Sequence, residues 1–267
     1  MRKTVLCYEE TGHPNAPVIV FLHGFMEQAK SFRIIMKSLS DSFRCIAFDL
    51  PGHGTSLFGS IDRLDNLQNM EDTAGLILRD LDALGISRFT LYGYSMGGRI
   101  AQHIALAAPK RIDRLVLESA SFGIADAGER AERLQRDQTL MADIQTPEAF
   151  RKFLTDWYSL PLFRTLPGTT HLQNLIDEKI KHPVAEYRLA LKLLSVGGHS
   201  FLAGHLADCP VPVFYFCGDQ DEAYLQTSRQ IKALLPDITV RIFKEASHNI
   251  HIQYPQEIIS AIREILI

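Results

Sequence analysis

The stretch Arg88-Phe-Thr-Leu-Tyr-Gly-Tyr-Ser95-Met-Gly-Gly-Arg99 decides the fold. Its opening, Arg88 to Tyr92, reads as a buried strand, and Ile100 to Ala108 reads as a helix. Gly93-Tyr-Ser95-Met-Gly97 must therefore make a sharp strand-to-helix turn. Glycines on both sides of the serine let two backbone segments approach closely, which side chains there would oppose. The turn holds the Ser95 hydroxyl out into a cleft. It also places that oxygen at the first turn of a helix, where unpaired N–H groups and the positive end of the dipole favour developing negative charge. A GxSxG pattern is short enough to arise by chance, and a serine that merely caps a helix would carry the same letters. Its position after a strand and before a helix favours an activated hydroxyl.

Outward from this turn, apolar runs rich in β-branched and aromatic residues recur at Thr4 to Tyr8, Val18 to Leu22, Cys45 to Phe48, Phe89 to Tyr92, Arg114 to Leu117, Val211 to Cys217 and Val240 to Phe243. Helical patterns lie between several of them, at Met70 to Leu84, Met96 to Ala108 and Leu225 to Leu235, and Pro255 to Ile267 closes the chain. Strand runs that are continuously apolar, alternating with helices, predict a mostly parallel sheet covered on both faces, an α/β fold. The regularity fails between about Gly123 and Asp208, where the sequence is helical and more polar, as in Ala127-Gly-Glu-Arg-Ala-Glu-Arg133-Leu-Gln-Arg136. The expected division is a core of residues 1–122 and 209–267 with a helical cap, 123–208, inserted over the carboxyl ends of the strands. Caps of this kind shape pockets and exclude water.

A chain of 267 residues, 46% of them hydrophobic and 22% charged, can bury a large core. With a net charge of −3 and no basic run that could track phosphates, nucleic acid is a poor expectation as a partner. The amino-terminal residues lead into Val5 without a long apolar segment, and no run reaches the length of a spanning helix, so a cytoplasmic location with no membrane partner is expected. Cys7, Cys45, Cys209 and Cys217 lack metal-type spacing and read as reduced core thiols. No cluster predicts a metal, and no cofactor is expected.

An activated serine needs a base, and the base needs an orienting acid. Val213-Phe-Tyr-Phe-Cys-Gly-Asp219-Gln-Asp221 is a strand ending in carboxylates, and Val240-Arg-Ile-Phe-Lys-Glu-Ala-Ser-His248 is a strand ending in a histidine. The order Ser95, Asp221, His248 follows. Asp221 is preferred to Asp219 because it lies further past the strand end, leaving Asp219 to organise the turn. His251, in the opening turn of the last helix, is the alternative base, while His23 and His53 read as architecture. The turn at Gly24-Phe25 can present the Phe25 N–H, which with the Met96 N–H would make a two-donor oxyanion hole. Arg99 follows Ser95 by four positions, one turn along the same helix face, where a guanidinium could clamp a carboxylate; pairing with a surface acid is the competing reading. Arg130, Arg133 and Arg136 recur at helical spacing in the insertion and, with Lys179 and Lys181, would bring positive charge over the serine if one face meets the pocket.

With Phe21-Leu-His-Gly-Phe25, Asp49-Leu-Pro-Gly-His-Gly54, Gly93-Tyr-Ser-Met-Gly-Gly98, Gly218-Asp-Gln-Asp221 and Ala246-Ser-His248 all in order, the chain outside the insertion resembles the α/β-hydrolase superfamily. A narrower resemblance spans the insertion too. Gly93 to Arg99, Leu117-Glu-Ser-Ala-Ser-Phe-Gly-Ile, Glu129-Arg-Ala-Glu-Arg133-Leu-Gln-Arg-Asp and Asp156-Trp157-Tyr with Pro161-Leu-Phe are similar to the 2-succinyl-6-hydroxy-2,4-cyclohexadiene-1-carboxylate synthases of menaquinone biosynthesis. That resemblance implies a lyase without cofactor in which Ser95, assisted by His248 and Asp221, acts as the base that starts elimination of pyruvate from a polycarboxylate. It also implies Tyr94, Arg99, Arg133 and Trp157 as substrate-binding residues, and Lys179 where the family tends to place a further arginine. Two rival readings stay open. One keeps the fold but makes Ser95 the nucleophile of a carboxylesterase or carbon-carbon bond hydrolase; the other is a non-catalytic binding protein.

Overall fold

The computed structural model describes residues 4–60, 67–163 and 170–266, the side chains of residues 170 and 171 excepted. Residues 1–3, part of the amino-terminal stretch read above, lie outside them, as do residues 164–169 of the inserted segment and Ile267. Among the described residues seven strands form one sheet: β1 (Tyr8–Thr11), β2 (Val18–Leu22), β3 (Arg44–Phe48), β4 (Phe89–Tyr94), β5 (Ile112–Glu118), β6 (Val213–Gly218) and β7 (Thr239–Phe243). Their order across the sheet is β1-β3-β2-β4-β5-β6-β7, with β1 antiparallel to β3 and every other pair parallel. The helices are α1 (Arg33–Leu39), α2 (Met70–Ala83), α3 (Met96–Ala107), α4 (Ala127–Thr139), α5 (Pro147–Tyr158), α6 (Thr170–Lys179), α7 (Val184–Leu194), α8 (Ala203–Ala207), α9 (Glu222–Leu234), α10 (Ile250–Gln253) and α11 (Pro255–Leu266).

Both faces of the sheet are covered at its centre, which is why Val18–Leu22 and residues 45–48 are apolar at consecutive positions rather than at every second one, whereas the edge strand β7 carries Arg241 and exposes Ile242. On β2, Val20 and Leu22 face a core built with α2, α3 and α9, while Ile19 and Phe21 face a second core built with α1 and α11. β3 divides in the same way, Ile46 and Phe48 against Cys45 and Ala47. Helices α4 to α8 all lie between β5 and β6, and no strand occurs among the described residues of that segment. They gather a cluster of their own, with Phe150, Leu154, Tyr158 and Ile176 packed around Met26 of the β2–α1 loop. Two of these helices start at side-chain caps: Asp126 accepts the Glu129 N–H, and Thr146, ahead of Pro147, accepts that of Ala149.

One expected strand is displaced. The run Thr4 to Tyr8 does not join the sheet, and pairing begins only at Tyr8. The reason is a buried carboxylate: Asp80 of α2 accepts the N–H groups of Val5 and Leu6 at 2.9 and 2.8 Å, supplying what a neighbouring strand would otherwise supply. Leu6 still buries its side chain. The same displacement leaves Cys7 exposed, so not every cysteine is a core thiol; Cys209 is half-buried, and only Cys45 and Cys217 are fully inside. Burial pushes the Cys45 and Cys217 thiols up to about 12 and about 11. Among the described residues no helix is long and apolar enough to cross a membrane, and no acid, histidine or cysteine cluster could hold a metal ion.

Candidate active site

Ser95 sits between β4 and α3 with φ 49° and ψ −109°, in the left-handed half of backbone space that a serine rarely adopts. A conformation of this kind costs about 1–3 kcal/mol and persists only where its surroundings enforce it. The Ser95 N–H donates to the Glu118 carbonyl at 2.8 Å, tying the turn to β5. A Cβ on Gly93 would lie 2.6 Å from the Gly97 carbonyl oxygen, and one on Gly97 would lie 2.2 Å from that of Leu22. These glycines are where α3 crosses directly over β4 and β2.

Asp221 follows β6 and begins α9, and His248 follows β7; both are buried. His248 Nδ1 lies 2.7 Å from Asp221 Oδ2, and His248 Nε2 lies 3.0 Å from Ser95 Oγ. A carboxylate facing Nδ1 fixes the proton there, so Nε2 is free to accept from the serine hydroxyl. Asp219, the competing acid, instead accepts from its neighbour Gln220 at 3.0 Å. The His248 ring is packed by Tyr94, Tyr224 and Phe163, with centroids at 5.2, 4.7 and 6.0 Å, and the His248 backbone N–H donates to the Leu162 carbonyl.

Ser95, His248 and Tyr94 open onto a cavity of about 270 Å³, whose other walls include Phe25, Met96, Arg99, Arg133, Arg136, Trp157, Leu194 and Tyr224. Among the described residues, Arg99 is not paired with a surface acid. Its Nη2 donates to the Leu194 carbonyl at 3.0 Å, and its buried Nε has no partner. Burial lowers its pKa to about 10, which leaves it charged. Arg133 Nε donates to Asp137 at 2.8 Å, and Asp137 is also bonded by the Ser195 hydroxyl at 2.7 Å, so the one acid among the described residues of the cavity wall is already engaged. Arg130 is turned away onto the carbonyls of Ile124 and Ala125. Met96 opens α3, so its N–H has no carbonyl one turn earlier to reach, and Phe25 lies in a turn closed by the Glu27 N–H on the Gly24 carbonyl at 3.1 Å. Trp157 packs edge-on against Phe25 at 5.9 Å and stacks on Phe153 at 5.8 Å.

Lys179 is a correction. It is not in the cavity wall but buried behind it, its ammonium donating to the Met26 carbonyl oxygen and lying 6.0 Å from the Tyr158 ring. Burial lowers its pKa to about 8 against the opposing pull of Glu27. His251 is not in the last helix but in the short α10 before it, with both ring nitrogens bonded to carboxylates, while it is His248 that meets the serine oxygen. His23 and His53 serve the backbone: His23 Nε2 accepts the Leu50 N–H at 3.0 Å and His53 Nδ1 donates to Pro51 at 3.0 Å. Tyr224 and Glu118 were not singled out from the sequence. Tyr224 carried a signal, standing three residues past Asp221 and thus one turn into the following helix; Glu118 had none beyond being a lone acid at a strand end.

The chain belongs to the α/β-hydrolase fold family, whose profile matches residues 17–255. Within that class it is 32% identical to the 2-succinyl-6-hydroxy-2,4-cyclohexadiene-1-carboxylate synthase of Serratia proteamaculans, over 97% of this chain and 96% of the relative. It is 29% identical to the protein of the same name from Escherichia coli O1:K1, over 96% of each. Among solved structures, MenH from S. aureus superposes with a TM-score of 0.86 at 28% identity, covering 97% of both chains.

Proposed function

We propose that the chain is a lyase of menaquinone biosynthesis that eliminates pyruvate from 2-succinyl-5-enolpyruvyl-6-hydroxy-3-cyclohexene-1-carboxylate, leaving 2-succinyl-6-hydroxy-2,4-cyclohexadiene-1-carboxylate. The observation that carries the reading is the Ser95–His248–Asp221 hydrogen-bond chain opening onto a cavity walled by Arg99, Arg133 and Arg136, in a chain whose full-length relatives bear the synthase name. The substrate C2–H lies beside the succinyl carbonyl and is acidified by it. Ser95 Oγ takes that proton while passing its own to His248 Nε2, and Asp221 balances the imidazolium that forms. The electron pair closes C2=C3, the former C3=C4 pair closes C4=C5, and the C5–O bond breaks. Enolpyruvate leaves and takes up a proton to become pyruvate. The N–H groups of Phe25 and Met96 meet the negative charge that gathers on the succinyl oxygen.

In this reading Arg99 and Arg133 hold substrate carboxylates, and Tyr94 and Trp157 line the ring site. Segment 123–208 acts as the cap that excludes water. The ligand is a small polycarboxylate. A polyanion does not cross a bilayer unaided, so we place the enzyme in the cytoplasm beside the reaction that makes its substrate. Incubating the protein with that substrate and following pyruvate tests the reading. Release is expected, and Ser95→Ala or His248→Ala should lower its rate by about 10²–10⁴-fold. Release no faster than in buffer rejects the lyase, and a stable acyl group trapped on Ser95 from the natural substrate transfers the site to the esterase reading.

A further inference from the structure

A buried charge cluster joins the three loops that surround Ser95, and the elimination itself does not use it. Glu27 lies two residues beyond Phe25, Glu118 ends β5, and His251 lies three residues beyond His248; all three are buried. His251 Nδ1 donates to Glu118 at 3.0 Å and Nε2 donates to Glu27 at 3.3 Å. Ionised carboxylates only accept, so a ring with one on each nitrogen carries both protons and a positive charge. The same acids hold the backbone around that ring. Glu118 accepts the His251 N–H at 3.0 Å and the Tyr92 hydroxyl at 2.5 Å, and its carbonyl receives the Ser95 N–H. Glu27 accepts from Asn249 Nδ2 at 2.8 Å, immediately after His248. Lys179, on the far side of Glu27, brings the four charges to balance. Aromatic rings close the remaining sides, Tyr94 at 4.6 Å and Phe32 at 4.9 Å.

We propose that His251, clamped between Glu27 and Glu118, is a positioning residue that holds the His248 loop, the Ser95 turn and the Phe25 turn in the register that lets a proton pass from Ser95 to His248. The proposal rests on the roles given to Ser95 and His248 above. The titratable groups packed around the ring are Glu27, Glu118, Tyr92 and Tyr94, with Lys179 behind Glu27. Burial alone would lower the His251 pKa, but the two carboxylates outweigh it and raise it to about 10. The clamp therefore stays closed across the neutral range and opens as the pH climbs through about 10.

The test follows pyruvate release as a function of substrate concentration and pH in Glu27→Gln, His251→Gln and Ser95→Ala. Glu27→Gln and His251→Gln should each lower kcat on the order of tenfold to a hundredfold with KM within about twofold of the parent, because substrate contacts are untouched while the reacting groups drift apart. In Glu27→Gln the imidazolium keeps one carboxylate, so the alkaline limb of kcat should move to lower pH. A role in stability alone would lower the melting temperature and leave that limb in place. Should either variant not fold, Asn249→Ala removes the Glu27 link to the His248 loop with every charge intact, and should likewise lower kcat at constant KM. Unchanged kcat and an unmoved limb in the folded variants, with release lost in Ser95→Ala, overturn the positioning role alone. Undiminished release in Ser95→Ala overturns the reading of the site and this proposal with it.

Discussion

Arg99 and His251 show how burial turns an ordinary charged side chain into a device with one use. Arg99 spends one nitrogen on the Leu194 carbonyl and leaves Nε without a partner beside the serine, a donor that a ligand carboxylate would satisfy. Arg99→Ala should lower kcat/KM for pyruvate release on the order of tenfold to a hundredfold, mostly through KM, the loss expected for one charge-assisted contact. Arg99→Lys should recover only part of it, since an ammonium lacks the planar fork. His251 predicts a pH dependence of stability. Its pKa rises from the ordinary 6.5 to about 10 on folding. A group with a raised folded-state pKa contributes its stability in full below the unfolded value and loses it as pH climbs through the folded one. The melting-temperature difference between the parent and His251→Gln should therefore be largest near pH 6 and shrink steadily toward about pH 10. A difference that is flat across that span would mean that the ring is not charged in the folded chain.

The elements divide into those that local pattern specifies and those that a distant partner decides. Strands β2 to β7 and the turn at Ser95 could be read from apolar runs and glycine placement, because a parallel sheet covered on both faces leaves few positions for polar residues. The order of Ser95, Asp221 and His248 could be read for the same reason, each standing just past a strand end. The run at Thr4 misled because its backbone partner is a side chain, Asp80, that lies 74 and 75 residues away from Leu6 and Val5. Lys179 misled because a resemblance aligns a position with a family's arginine but does not say which way the side chain turns, and here the ammonium turns to the Met26 carbonyl. Glu27 lies in a loop, Glu118 at the end of β5 and His251 in α10, and no spacing rule brings three such distant positions together. Asp80→Ala offers a check on the first of these. It strands the buried Leu6 N–H and the part-buried Val5 N–H and should cost about 2–4 kcal/mol of stability, read as a lower denaturant midpoint. Since Asp80 lies outside the cavity wall, kcat should be unchanged.

Taken whole, the protein is weakly acidic, with a net charge of −3, yet it gathers Arg99, Arg133 and Arg136 around one opening while the acid among them, Asp137, is tied down. The local field at this opening therefore opposes the overall charge, and a polyanionic ligand of the kind proposed above would be drawn to it. Raising the ionic strength from low salt to about 0.5 M, where screening acts within a few ångströms, should lower kcat/KM several-fold with little change in kcat. Insensitivity to salt would place the ligand's charges elsewhere. The sheet order has a further consequence for how the protein comes into being. The serine and the histidine that reaches it are 153 residues apart along the chain, on loops that follow β4 and β7. During synthesis Ser95 is thus made before Asp221 and His248, and the hydrogen-bond chain that links the three can close only after the loops beyond β6 and β7 have docked.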